Sequence, residues 1–300
     1  MCRRCSYYSP SNGPQEVIMH NNNILPITED LEYLYCYNSP INYLFETMNN
    51  LKVLRCDRTL ISALPVNMES LVFLECIGNP VTTLPKNMPK LKELDCENID
   101  ELPDTLINLK YLTLYNCPIK VIPHTFINLK ELHIFEGDSL PDTLINLTFL
   151  ICSNLKEIPS TFVNLEYLFC NGTKIKEIPK TLTKLVQLNC DNTEVTELPD
   201  SLTCLRFLSI IKTKIKKVPD TLTKLESISF DHGITLPKSL NNISSIRSDK
   251  FVVPMTRSSV YYYNSRRIPI SIYFTLLKMI LLFDNKIPQD IIRHHKEYFL

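Results

Sequence analysis

The chain has 300 residues, of which 44% are hydrophobic and 21% charged, a composition typical of globular proteins and unlike that of disordered ones. Its 32 basic and 32 acidic side chains cancel to zero formal net charge, so no overall field attracts nucleic acid or an anionic membrane. Five glycines are too few for the loops that bind phosphates, which nearly excludes nucleotide-binding motifs.

Residues 1–30 are predicted to form an N-terminal leader and cap. They contain no apolar run of signal-peptide length, and the longest apolar stretch of the chain, residues 268–283, is shorter than the roughly 20 residues that span a bilayer. We therefore expect no membrane segment and a location inside the cell. Cys2 and Cys5 form a lone CxxC, but a zinc site needs four ligands, so a disordered leader is favoured over metal binding.

The segment from residue 31 to residue 242 repeats one pattern. We number the positions within each line as slots, the leading leucine being slot one. Each line reads L-x-x-L-x-C/L/I, then a polar stretch and an aliphatic residue, and ends with an aliphatic residue, proline, x-x and L/F/M-x-x. Eleven lines, seven of 20 residues and four of 18, begin with leucine at positions 31, 51, 71, 91, 109, 129, 147, 165, 185, 205 and 225.

The slots predict the local structure of every line. Period-two alternation at the start of the line predicts a short strand with one buried face. The recurring proline, as in Ile122-Pro123, excludes a helix and favours an extended, polyproline-II-like return. A single line cannot bury its own leucines, so we expect the lines to stack on one another.

These lines resemble leucine-rich repeats of the short class, with about 20 residues and an LPxxL return segment, which are known from bacterial effectors and similar to units of amoebal and giant-virus proteins. The resemblance covers residues 31–242. It implies an α/β-type repeat solenoid, an arc with a parallel concave sheet, a mostly extended or polyproline-II convex side and a small helical C-terminal cap. It also implies a cytoplasmic protein-binding scaffold, as in signal transduction, in a host cell if the chain is viral or effector-derived.

Slot eight is where we expect the asparagine ladder that satisfies the backbone of the turn after each strand. Asparagine occupies this slot at Asn38, Asn98, Asn116, Asn154 and Asn192. In other lines a different polar group or water must satisfy the backbone, and we expect those turns to be less regular.

Cysteine recurs in slot six. A metal or redox ladder is one interpretation, and a column of buried thiols is the other. Leu114, Ile134 and Ile210 fill the same slot, and an aliphatic residue cannot replace a ligand, so buried thiols are favoured. Strands about 4.8 Å apart also hold the Cβ atoms too far apart for disulfides. We therefore predict no metal and no cofactor. The seven cysteines of this slot are Cys36, Cys56, Cys76, Cys96, Cys152, Cys170 and Cys190.

Slots three, five and seven are predicted to point outward on the concave side of the sheet. Eleven of these 33 positions are aromatic, against 9% of the whole chain, and exposed aromatic residues often anchor protein interfaces. Strand propensity would favour valine and threonine equally, yet only Val53 and Thr113 occur there, so an interface is favoured. The candidate partner-binding residues are Tyr33, Tyr35, Tyr37, Phe73, Glu75, Glu93, Asp95, Glu97, Tyr111, Tyr115, Phe135, Phe149, Tyr167, Phe169 and Phe207.

Charge on the repeats is polarised along the chain. The acidic members of that set, together with Glu131, lie in the first half, whereas lysines such as Lys174, Lys212 and Lys217 gather later, mostly on loops. A solvated surface is an adequate explanation for the lysines. An acidic, aromatic concavity suits a basic protein segment and repels nucleic acid, so the expected partner is a protein. We separately expect a monomer.

No catalytic motif occurs in the chain. Walker, GxGxxG, GxSxG, HExxH and kinase signatures are absent, and the six histidines are scattered. Bacterial effectors with short repeats often carry a cysteine-dependent ubiquitin ligase after the repeats, but the last cysteine here, Cys204, lies inside them. We therefore predict that the protein is not an enzyme.

Residues 243–300 are predicted to form a partial repeat, a linker and a helical segment. Apolar residues at helical spacing favour a cap over the open end of the core. The alternative is a box that recruits an adaptor of a cullin-type ubiquitin ligase, with the repeats as substrate receptor. It rests on the resemblance of residues 287–292 and 298–300 to the LPxEIxxxIxxYL opening of F-box and related viral C-terminal boxes, and more loosely to the end of a SOCS box. The candidate adaptor-binding residues among them are Ile287, Pro288, Ile291, Ile292 and Tyr298.

Overall fold

The structure is a computed structural model that describes residues 16–18, 30–231, 233–236 and 245–248. All of these residues belong to the first of two units, Met1–Val253. The CxxC of Cys2 and Cys5 and the predicted cap or box, including Ile287 to Tyr298, lie outside the described residues. Within the described part of the chain no residue is helical.

The described residues contain one parallel sheet of thirteen short strands, and each strand pairs with the strands before and after it along the chain. Strands two to twelve belong to the eleven predicted lines in order. Two further strands, one in the predicted leader and one in the predicted partial repeat, continue the sheet at its ends. The strands are β1 (Glu16–Ile18), β2 (Tyr33–Tyr35), β3 (Val53–Arg55), β4 (Phe73–Cys76), β5 (Glu93–Glu97), β6 (Tyr111–Tyr115), β7 (Glu131–Ile134), β8 (Phe149–Cys152), β9 (Tyr167–Phe169), β10 (Gln187–Asn189), β11 (Phe207–Ile210), β12 (Ser227–Phe230) and β13 (Ser245–Ser248).

Strand pairing matches slot to slot. Leu34 lies opposite Leu54, and Leu54 opposite Leu74, so slot four of one line pairs with slot four of the next. The 18-residue lines keep this register, because Leu132 still lies opposite Leu150. A slip of one residue would exchange the buried and open faces of a strand. The two missing residues of a short line are therefore absorbed in the connection that follows the strand.

Slots one, four and six join the aliphatic slots of the return segment in one continuous hydrophobic core. Leu109, Leu112 and Leu114 represent the three strand slots and are at most 2% exposed. Phe126 and Phe162, the largest side chains of the core, come from the return segment and are 0% exposed. Stacking thus buries leucines that no single line could bury, as predicted.

The return segment is extended only as far as its proline. In most lines the residues before the proline form no turn, which agrees with the predicted extended path. Two consecutive turns follow, in which Phe126 N–H donates to Pro123 O at 3.2 Å and Leu129 N–H donates to Phe126 O at 3.0 Å. The prediction of a mostly extended return named the extended part and not these turns. The proline fixes a φ that suits a turn, and the turns bring Phe126 and Leu129 back into the core.

Side chains on the return segment bond each line to the one before it. Thr125 Oγ1 donates to Asp104 O at 2.7 Å, and Asn128 Nδ2 donates to Ile107 O at 3.0 Å. Equivalent asparagine bonds are made by Asn108, Asn146 and Asn164. These bonds satisfy turn carbonyls that the backbone alone would leave to water.

The predicted polar ladder after the strands is shared between slots eight and nine. Slot eight adopts positive φ in most lines, including Asn38 at 52° and Asn116 at 47°, and asparagine tolerates that conformation better than most residues. Slot nine supplies the polar groups: Thr173 Oγ1 donates to Cys170 O and Thr193 Oγ1 to Cys190 O, both at 2.6 Å. Asn154 at slot eight makes the predicted kind of bond, since its Nδ2 donates to Phe135 O at 2.8 Å. In other lines slot eight supplies the positive φ, and threonine or serine at slot nine supplies the bond to the turn.

Candidate functional site

The outward slots form a surface that we call the open face, which comprises slots three, five and seven of the lines. Slots four and six of the same strands point into the core, so alternation places the outward slots on the opposite side. The slot-to-slot register arranges them in rows, as when Tyr111, Glu131 and Phe149 pair in turn across β6, β7 and β8. Each row therefore presents one side chain from every line, about 4.8 Å apart.

All fifteen predicted binding residues lie in the described lines. Twelve of them are half-buried, which leaves part of each side chain open to a partner. The other three, Asp95, Phe149 and Phe169, are buried with 7–9% of their surface exposed. The open face therefore has a rim of accessible residues around a covered centre.

The aromatic residues near the middle of the open face contact one another. Phe149 packs against Tyr167 with ring centroids 5.8 Å apart and against Phe169 at 5.5 Å. Tyr115 and Phe135 stack at 5.8 Å. Packed rings lose little conformational freedom on binding, which is why such groups serve as preformed anchors.

At the centre of the open face the side chains are buried, whereas the sequence analysis predicted exposed aromatic residues there. In the slot-five row Thr113, His133, Ile151 and Phe169 are neighbours, and none is more than 8% exposed. Adjacent lines supply large side chains here, and Phe149 contacts the rings on either side. Phe169 is therefore a packing residue, and a charge placed there would destabilise the sheet as well as alter the face.

His133 is a buried polar group that sequence reasoning did not single out. It is 3% exposed, and neither ring nitrogen has a hydrogen-bond partner among the described residues. The Phe149 ring lies 5.3 Å away. Burial lowers the pKa of His133 from its usual value near 6.5 to about 4, so the imidazole is neutral at physiological pH. Reading slot five down the chain would have shown this histidine between Thr113 and Ile151.

Five carboxyl residues lie on the open face in the lines that begin at Leu51 to Leu129, and we call them the acidic group: Asp57, Glu75, Glu93, Asp95 and Glu131. Burial, with the neighbouring Glu75 charge, raises the pKa of Asp57 to about 8. Burial likewise raises the pKa of Asp95 and of Glu131 to about 7. Arg55 offsets part of this charge, its Nε lying 3.5 Å from Glu75 Oε2.

The raised pKa values of the acidic group have a direct consequence. Carboxyls that hold protons more tightly when folded stabilise the fold at low pH, and this stabilisation is lost as pH rises from about 4 towards 7 or 8. Near neutral pH part of the acidic group therefore remains protonated. A lysine or arginine brought by another molecule would lower these pKa values and favour the charged carboxylates.

Glu97 differs from the other predicted acidic residues because its carboxylate bonds to the turns. It accepts hydrogen bonds from Gly78 N–H and from Asn116 Nδ2, both at 2.9 Å. Asp57 and Asp191 make similar bonds from slot seven to the backbone N–H of Ile77 and Ile211. Glu97 thus stabilises the turns that follow the strands of the neighbouring lines.

The nine described cysteines are all free thiols, and eight are buried. The placement of the slot-six column in the core is confirmed. Burial raises the pKa of Cys36 to about 12 and those of Cys76, Cys152 and Cys190 still higher, so these thiols stay protonated. In the described residues no group of three or more His, Cys, Asp or Glu side chains could hold a metal ion.

A search for membrane spans among the described residues finds no helix of sufficient length and apolar character to cross a bilayer.

Only the comparison with solved structures finds proteins that are similar to this chain. No protein-family model and no curated protein matches the chain. The functional domain of InlJ from Listeria monocytogenes, which includes a cysteine ladder, superimposes with a TM-score of 0.66 at 22% identity, over 73% of this chain and 54% of that one. The leucine-rich effector YopM from Yersinia pestis has a TM-score of 0.63 at 20% identity, over 78% and 77%. The chain has the leucine-rich-repeat fold.

A third leucine-rich-repeat match is a plant protein. The peptide hormone receptor RGFR1, solved in complex with RGF2, has a TM-score of 0.56 at 23% identity, over 73% of this chain and 44% of that one. The chain thus spans about half the length of RGFR1 and of the InlJ domain. Within the leucine-rich-repeat fold, the open face defined above is the strand face turned away from the core.

Replacing His133 by leucine should stabilise this leucine-rich-repeat sheet. The substitution removes two buried nitrogens that lack partners, which we expect to raise the free energy of unfolding by about 1–3 kcal/mol at pH 7. The histidine takes up a proton on unfolding between about pH 6.5 and pH 4, so wild-type stability falls with pH in that window. The advantage of His133→Leu should therefore grow as pH falls, as measured by urea unfolding at several pH values.

His124→Leu is the matched control, because His124 is exposed in the return segment. It should change the free energy of unfolding by less than about 0.5 kcal/mol at any of these pH values. A His133→Leu protein that is less stable than wild type at both pH 7 and pH 5 would contradict the assignment of His133 as an unsatisfied buried group.

Proposed function

We propose that the protein is a non-catalytic scaffold that binds a protein partner on the open face, inside a cell. One observation carries the proposal. The slot-three row alternates rings and carboxylates from β4 to β8 and ends with a second ring in β9, and the register places these side chains side by side. In order, the row reads Phe73, Glu93, Tyr111, Glu131, Phe149 and Tyr167.

This row suits a segment of the partner that carries lysine or arginine. An arginine both pairs with a carboxylate and stacks on an aromatic ring, and the alternating row offers the two contacts next to each other. Within the chain itself Arg55 shows the same pairing, with its guanidinium 4.6 Å from the Phe73 ring and its Nε near Glu75. We therefore propose that the partner presents a basic segment with apolar side chains between the charges.

The energetics favour recognition of a charged, partly apolar segment. Half-buried rings such as Tyr111 and Tyr167 supply apolar area at small cost in conformational freedom. The acidic group is already partly desolvated, so a cation placed there interacts more strongly than at a fully exposed site. The complex of RGFR1 with RGF2 supports a peptide or protein partner for this fold.

Selection from a random peptide library displayed on phage tests this function without knowledge of the natural partner. Bound peptides should be enriched in lysine, arginine and apolar residues, and their affinity should fall with rising salt. The double variant Glu93→Gln with Glu131→Gln should weaken binding by at least about tenfold, because it removes two partly desolvated partners for the cations.

The matched control is Glu157→Gln with Glu177→Gln, which neutralises two exposed carboxylates outside the open face. It should leave peptide affinity within about twofold of wild type. The proposal fails if no peptide is selected, or if the two double variants bind selected peptides equally well.

A second candidate function is that of a substrate receptor for a cullin-type ubiquitin ligase. Its support is the sequence resemblance of Ile287 to Tyr298 to F-box-like segments. In a host-cell lysate the full chain should capture a cullin adaptor, and a chain ending at Arg267 should not. Ile291→Ser with Ile292→Ser should remove capture in the same way, since both apolar side chains belong to the proposed docking surface. Equal capture by all three proteins would rule this role out.

A further inference from the structure

A notch of about 600 Å³ lies beyond the ends of the strands, between the lines that begin at Leu109 and Leu165. The two intervening lines, which begin at Leu129 and Leu147, have 18 residues each, whereas the flanking lines have 20. The two residues missing from each short line belong to the connection after the strand. The notch therefore lies where two consecutive short connections adjoin longer ones.

Positive charge converges on this notch from three different lines. Lys120, Lys156 and Lys174 line it, together with the carboxylates of Glu136 and Asp138. Three lysines against two carboxylates leave a formal charge of 3 − 2 = +1 in the notch.

The carboxylates of the notch already have donors. Lys156 Nζ lies 2.7 Å from Asp138 Oδ2, and Asn154 Nδ2 donates to Glu136 Oε2 at 3.1 Å. The bond to Lys156 lowers the pKa of Asp138, and the charges of Lys174 and Lys120 lower it further. All three ammonium groups therefore act on one carboxylate. Within residues 30–231 neither Lys120 nor Lys174 forms an ion pair.

The backbone under the notch is bonded from line to line. Lys156 N–H donates to Asp138 O at 3.2 Å, and Lys174 N–H donates to Leu155 O at 3.3 Å. Gly137 lies between the carboxylates with φ of 109°, and a Cβ there would lie 3.3 Å from Ile134 Cδ1. The chain segments that carry the charges are therefore held in place before any ligand arrives, which lowers the cost of binding.

We propose that the notch binds an oxyanion, a phosphate or carboxylate group held between Lys120 and Lys174, with the Lys156–Asp138 pair at its base. Ammonium groups on opposite walls can each donate to a different oxygen of one anion. The stacked rings of Tyr115 and Phe135 directly precede two notch residues, Asn116 and Glu136. The notch therefore adjoins the open face, and the anion can be a free ion or an acidic or phosphorylated side chain of a bound partner.

Nuclear magnetic resonance titration of ¹⁵N-labelled full-length protein with inorganic phosphate tests the site. At constant ionic strength the amides of Gly137, Asp138 and Lys156 should shift and saturate. Lys120→Gln with Lys174→Gln should weaken this binding by at least about tenfold, because each lysine supplies a charge-assisted hydrogen bond. Lys216→Gln is the matched control, since it changes an exposed lysine in the same slot as Lys120 and should leave binding unchanged.

A second arm separates the two sources of the anion. A short peptide with one phosphoserine should bind more tightly than phosphate if a partner side chain supplies the group, and no more tightly if the ligand is a free ion; both outcomes support the site. The site is disproved if chloride produces the same shifts, or if the double lysine variant binds phosphate like wild type. The phage-peptide selection tests the open face independently of the notch. A notch that does not bind phosphate would therefore not contradict the proposed function.

Discussion

Hydrogen-bond register between parallel strands is the constraint on which the rest of the molecule depends. Each line must present slot four opposite slot four, as Leu94 does opposite Leu112 although their lines differ in length. A slip by one residue would bury the open face and expose the leucines. The core columns, the polar ladders and the rows of the open face all follow from this single alignment.

The same constraint explains where the chain can vary. Slots one, four and six hardly change because a neighbour on each side packs against them, whereas the connections after the strands differ in length. The notch beside Gly137 lies where two short connections follow one another. The outward slots do not pack in the core, so they can hold aromatic or carboxylate side chains. The strand register aligns these side chains in rows, such as Glu93, Tyr111 and Glu131. The residues proposed to bind a partner therefore occupy slots that do not contribute to the hydrophobic core.

The sequence pattern was sufficient to predict the repeat, the strand slots and the buried cysteine column. Each of these depends on contacts between side chains that occupy the same slot in neighbouring lines. The pattern was insufficient for His133, whose burial depends on the rings that adjacent lines happen to supply. It also predicted the polar ladder at slot eight alone, whereas threonines at slot nine, such as Thr173, bond to the turn as well. Asparagine at slot eight suits both a positive φ, as at Asn116, and a side-chain bond, so its presence does not distinguish the two roles. The pairing of β1 with β2 could not be predicted from the repeat pattern, because residues 16–18 precede the first line.

The most direct test of this account compares two neighbouring residues of β6 by urea unfolding. Leu112 lies in slot four and is 1% exposed, whereas Tyr111 lies half-buried in slot three of the open face. Leu112→Ala should cost about 2–5 kcal/mol of unfolding free energy, and Tyr111→Ala should cost about 1 kcal/mol or less. Equal losses, or a larger loss for Tyr111→Ala, would contradict the division into core slots and open-face slots.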